Sequence, residues 1–163
     1  MMLLRLGWLG ISLAALVTSV GCQQPVKWTI HSRLDPDPVK IGQKYVSVCK
    51  ITGELDKVGW VAAMPLVAPE FIMEMRDEGT EGDAKKGDGI FTNTGTPPEE
   101  AEPGEYEIEF VVYDKNGDPL QVPSFTILDK DGKGVLKEVV PEEGGGETPA
   151  TVEFSSVVTI MLE

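Results

Sequence analysis

Cysteine, histidine and basic residues are scarce in this chain, and each shortage closes off a class of function. There are two cysteines, Cys22 and Cys49, and one histidine, His31. A zinc site of thiolates and imidazoles needs several of them together, and no Cys/His cluster can be assembled here. A Ser-His-Asp triad would have to use His31, which lies beside a proline-broken segment, and no nucleophile motif accompanies it. Lysine and arginine number 14 against 27 Asp and Glu, giving a formal charge of −13. A surface this acidic repels phosphate, which argues against nucleic acid and anionic headgroups as partners. It attracts divalent cations or a basic partner, or it simply keeps the domain soluble. A phosphate loop is missing as well, since Gly82-Asp83 to Gly87-Asp88-Gly89 carries Asp where a P-loop needs Lys. Acidic pairs abundant enough for a glycosidase are present, but none is marked by an apolar setting. The chain is expected not to be an enzyme.

Charge is also absent from the start of the chain. Arg5 is the only charged residue before Lys27, and Leu6 to Val20 is apolar or small throughout. An apolar run of about 15 residues behind a positive start reads as a secretory signal, too short for a comfortable transmembrane helix. Gly21-Cys22 closes it. Small residues followed by Cys resemble the lipobox of bacterial lipoproteins, although Ser19 stands where that family usually has Leu. The resemblance implies lipidation at Cys22, cleavage after residue 21, and a membrane anchor. Gln23, which is not Asp, implies outer-membrane rather than inner-membrane retention. Losing residues 1–21 removes a single charge and leaves the rest one unit more negative. Cys49 then has no partner in an oxidising compartment and is expected to be a small buried apolar residue.

A chain of 163 residues supports one domain, or one plus a tail, and its pattern after the tether is that of strands. Val26–Ile30 alternates, and Asp35-Pro36-Asp37-Pro38 stops it. Lys44–Thr52 is β-branched and lies between Gly42 and Gly53, with Tyr45, Ser47, Cys49 and Ile51 expected inward. Val58–Met64, Phe71–Met75 and Ile90–Asn93 are three more strands. Glu105–Tyr113 sets Tyr106, Ile108 and Phe110 against Glu105, Glu107 and Glu109, one dry face and one wet face. Asn116-Gly117 marks a hairpin. Val122–Leu128 and Val135–Val140 flank a second one. Pro141–Pro149 reads as a loop, and Thr151–Leu162 as one long closing strand. No amphipathic helix is expected after residue 25.

The most patterned stretch lies between the fourth and fifth strands, Asp77-Glu78-Gly79-Thr80-Glu81-Gly82-Asp83 and then Gly87-Asp88-Gly89-Ile90-Phe91-Thr92. Glycine supplies turn angles and aspartate caps nearby amides, so this reads as a tight double turn. Two readings of its aspartates are open. Each caps the amides of its own turn, with Lys85 and Lys86 partly neutralising them. Or Asp77, Asp83 and Asp88, with Glu78 and Glu81 in reserve, converge on calcium, which takes six to eight oxygens. The spacing is not that of an EF-hand. Asp129-x-Asp131-Gly132 is a weaker candidate of the same kind.

Cys49 on the second strand, Trp60 on the third and Pro103-Gly104-Glu105-Tyr106-Glu107-Ile108 resemble the immunoglobulin pattern of strand-B Cys, strand-C Trp and strand-F tyrosine corner. Ile108 stands where the second Cys would be, so the resemblance implies Cys49 packing against Ile108 and Trp60 without a disulfide. Residues 77–92 and 103–114 are similar to a recurrent segment of bacterial extracellular Ig-like domains, with Glu78 and Phe91 as departures. The expected fold is an all-β, Ig-like antiparallel β-sandwich with an extra hairpin near the C-terminus, preceded by a signal peptide. Its parts are the signal at 1–21, the lipidated Cys and tether at 22–25, and the domain at 26–163. Strand G is expected near Val157–Leu162 with 119–150 inserted before it; the competing register uses Val122–Leu128. The implied role is a lipid-anchored envelope module that binds another envelope protein or a glycan. A calcium-dependent adhesion module and an accessory subunit of a secreted enzyme or export system are the alternatives.

Overall fold

The computed structural model describes residues 26–80, 83–138 and 151–163. The signal segment, Cys22, Glu81 and the loop expected at 141–149 lie outside them. Eleven strands follow one another: β1 (Trp28–Asp35), β2 (Tyr45–Thr52), β3 (Val58–Pro65), β4 (Met73–Met75), β5 (Ile90–Gly95), β6 (Gly104–Asp114), β7 (Gln121–Val122), β8 (Ser124–Leu128), β9 (Gly134–Glu138), β10 (Val152–Glu153) and β11 (Ser155–Leu162). Among the described residues the single helical element is a 3-10 turn at Leu55–Lys57.

One sheet runs β5-β2-β1-β8-β9 and the other β11-β6-β3-β4, with a separate β7–β10 pair. Taking β1, β2 and β5 as A, B and E, and β3, β4, β6 and β11 as C, C′, F and G, this is the Ig-like strand order. The last strand is the one beside β6, from Ser155↔Val111 to Leu162↔Gly104, so the expected position of strand G holds. The β8–β9 hairpin is the expected extra one. It joins the first sheet by a parallel pairing, Trp28↔Phe125 to Ile30↔Ile127, an exception to the otherwise antiparallel ladders of the two main sheets. Beyond Asp35 the chain crosses to the other sheet, and Val39 makes a parallel bridge to Leu162.

Alternation on β2 falls as expected, with Ser47 and Cys49 at 0% and Ile51 at 1% exposure. Ile108 and Phe110 of β6 join the same core cluster. Trp60 does not. A register shift between Val58 and Trp60 turns its ring out of the core, where it stacks flat on Tyr113 at 4.3 Å. Gly59 permits this, because a Cβ there would lie 2.3 Å from the Asp114 carbonyl oxygen. The core aromatic is Trp28 instead, edge-on to Phe154 at 5.3 Å, which is edge-on to Phe125 at 4.9 Å. Phe154 splits the closing strand into β10 and β11. Its N–H donates to the Leu120 carbonyl and its own carbonyl accepts from Val112, so the buried ring is pinned from both sides.

Candidate functional site

The expected tyrosine corner is formed: the Tyr106 hydroxyl donates to the Glu102 carbonyl at 2.8 Å. It fixes the start of β6 beneath the Pro97–Ala101 turn. Opposite this turn, the β3–β4 connection leaves the protein surface apolar, with Val67 at 74%, Phe71 at 66% and Ile72 at 56% exposure. Between the two loops lies a groove of about 610 Å³, floored by Leu34, Tyr45, Met73, Ile108 and Ile160. The Tyr45 hydroxyl donates to the Met73 sulfur at 3.1 Å across the floor, and burial pushes its phenol pKa up. A concave, largely apolar cleft with few polar groups is the usual form of a binding site.

The groove exists because the seam between β4 and β5 opens. These edge strands of opposite sheets are joined at Arg76 and Thr92, which exchange backbone bonds at 3.3 and 3.2 Å. One residue on, the Asn93 side-chain amide caps the Glu74 carbonyl, and the strands then part. Among the described residues no strand D lies between β4 and β5, so beyond the Arg76–Thr92 bridge the outer edge of β5 carries no further strand.

The acidic loop occupies the other end of the sandwich, beside the end of β2, where Gly89 accepts from the Ile51 N–H. Asp77, Asp83 and Asp88 are brought together, with a carboxylate oxygen from each lying within 4.8 Å of the others. Each also caps its turn. Asp77 accepts from the Gly87 and Gly89 N–H groups, Asp83 from Gly79 and Lys85, and Asp88 from Ile90. Asp83 is buried at 6% exposure. Both readings of the sequence are thus met geometrically: the carboxylates bond the turn amides and still converge. Glu78 is exposed. Asp129 bonds the Asp131 and Lys133 amides at about 2.9 and 2.8 Å and belongs to no carboxylate cluster among the described residues.

Cys49 is fully buried, and that burial pushes its thiol pKa up to about 12. The Ser32 hydroxyl touches it at 3.5 Å and bonds Ser156 at 2.8 Å, so the residue is a core filler by its surroundings. The groove residues went unread in the sequence. Val67-Ala68 and Phe71-Ile72 are apolar pairs on either side of Pro69-Glu70, and the strand expected at Phe71–Met75 begins only at Met73, since a strand alone would not expose both members of Phe71-Ile72. That was the available signal. No family model, no curated protein and no solved structure matches the chain.

Proposed function

We propose that the protein is a lipid-anchored cell-envelope module whose Ig-like domain has a non-catalytic binding role, with Cys22 as the lipidated residue and the outer membrane as its site. The observation that carries the binding role is the placement of the groove. It is lined by Leu34 and Val39, while the tether joins at Trp28, the other end of the eight-residue β1. A strand of that length spans about 26 Å, so an anchor at Cys22 leaves the groove facing away from the lipid surface. The anchor is tested by growing a bacterial host with radiolabelled palmitate. The wild-type chain should take up label and pellet with membranes, and Cys22→Ala should do neither. An unlabelled wild type overturns the anchor.

A second reading is favoured by the converging carboxylates of Asp77, Asp83 and Asp88: a calcium-dependent adhesion or scaffold module. Calcium that binds the native state alone raises stability by RT ln(1 + [L]/Kd). Unfolding in millimolar calcium should then occur several degrees above unfolding in chelator, and Asp83→Asn with Asp88→Asn should abolish the difference. Equal midpoints in both solutions leave the aspartates as turn formers.

A further inference from the structure

We infer that the groove between β4 and β5 docks an extended peptide segment of a partner protein, one with apolar side chains at alternate positions and a Lys or Arg flank. This rests on the binding role proposed above and specifies its ligand.

The first support is backbone geometry. Arg76 and Thr92 use their N–H and C=O groups to close the seam. In an antiparallel ladder every second residue aims these groups the same way, so both groups of Thr94 and the N–H of Glu74 point into the same gap, the Glu74 carbonyl being capped by the Asn93 amide. The ladder stops there. Among the described residues Thr94 has no backbone partner across the gap, and its side chain is exposed. An extended segment laid along β5 satisfies these groups, and its alternate side chains enter the apolar floor. An acyl chain would fill the floor and leave the backbone groups unused.

The second support is charge. Glu70 belongs to the β3–β4 side of the groove, where Glu74 is already paired with Arg76, and Glu99 and Glu100 belong to the turn opposite, between groove-lining Pro98 and Ala101. Lys40 and Lys44 flank the turn whose Gly42 N–H bonds the Pro97 carbonyl. A basic flank therefore belongs over the glutamates. A second copy of a chain carrying −13 would bring like charge to the same place, which disfavours it as the occupant.

The test is to pan a displayed library of random twelve-residue peptides against the purified full-length protein, then titrate the enriched peptide. Enriched sequences should alternate apolar residues beside Lys or Arg. Thr94→Pro should weaken the synthesised peptide at least tenfold with an unchanged unfolding midpoint, because an edge strand tolerates proline where its N–H faces outward. Phe71→Ser, at an exposed position, should weaken it several-fold and serves if the proline variant fails to fold. Enrichment without the alternating pattern, binding indifferent to both variants, or full displacement of the peptide by palmitate would each overturn the proposal. So would a dimer that occupies the groove in sedimentation. Palmitate labelling at Cys22 is read independently, so loss of peptide binding with labelling intact sinks this inference alone.

Discussion

Ser47 sits at 0% exposure and its hydroxyl has no hydrogen-bond partner among the described residues. A buried hydroxyl left unpaired costs on the order of 1–3 kcal/mol. Ser47→Ala should therefore stabilise the protein, by about 1 kcal/mol in a denaturant titration. Its neighbour Cys49 makes the opposite kind of statement. Its folded pKa, about 12, lies above the ordinary 9.0, so folding favours the neutral thiol. The stabilisation is complete below pH 9 and drains away as pH rises through about 12. Wild type should lose more stability than Cys49→Ala across that window, and Cys49 should resist thiol reagents until the protein unfolds. The inward placement of both residues was legible because alternation on a half-buried strand leaves two choices of face. Trp60 was misread for a local reason. Gly59 sits inside a strand, which is the usual mark of a bulge, and one extra residue reverses every side chain beyond it. The sequence does contain the glycine, but its meaning depends on the close approach to Asp114, which is a tertiary fact.

At the scale of elements, the acidic loop is held by glycines that differ in kind. Gly87 and Gly89 both have positive φ, +79° and +83°. A Cβ on Gly87 meets nothing within 4 Å, whereas one on Gly89 would lie 2.5 Å from the Ile51 carbonyl oxygen. Gly87→Ala should cost only the left-handed backbone term, about 1–2 kcal/mol. Gly89→Ala should cost clearly more, because the end of β2 must move as well. Paired thermal melts of the two variants check this, and equal losses would mean the Gly89 contact is easily relieved. Strand identities were largely legible: turn chemistry at Asp129–Lys133 set the β8–β9 hairpin in place, and Asn116-Gly117 turns the chain back so that Pro119 bridges Tyr113 before β7 pairs with β10. Two features were not. The parallel β1–β8 pairing is a choice of neighbour that no local pattern encodes. The break at Phe154 looks like one more apolar position in a β-prone run, and only the slot between Trp28 and Phe125 makes it an interruption.

For the whole molecule, 27 acidic residues against 14 basic ones mean that the folded state concentrates like charge. Screening lengths shrink from about 30 Å at 0.01 M salt to about 8 Å at 0.15 M. Sodium chloride over that range should raise the unfolding midpoint, by an amount worth about 1 kcal/mol. An unmoved midpoint would show that the acidic groups are already balanced locally, as Glu74 is by Arg76. The overall architecture could be read because turn residues and alternation agree on a sandwich. The groove could not, because it is made by what the two sheets fail to do at one corner. A different consequence follows from the clasp of Val39 on Leu162 and the seat of Phe154 against Trp28. A polypeptide is made from its first residue onward. The earliest strand must therefore wait for the latest ones: with synthesis halted near residue 150, the Trp28 ring lacks its cover and β6 lacks a neighbour along one side. The compartment in which the chain folds receives either the finished domain or a substrate for its proteases.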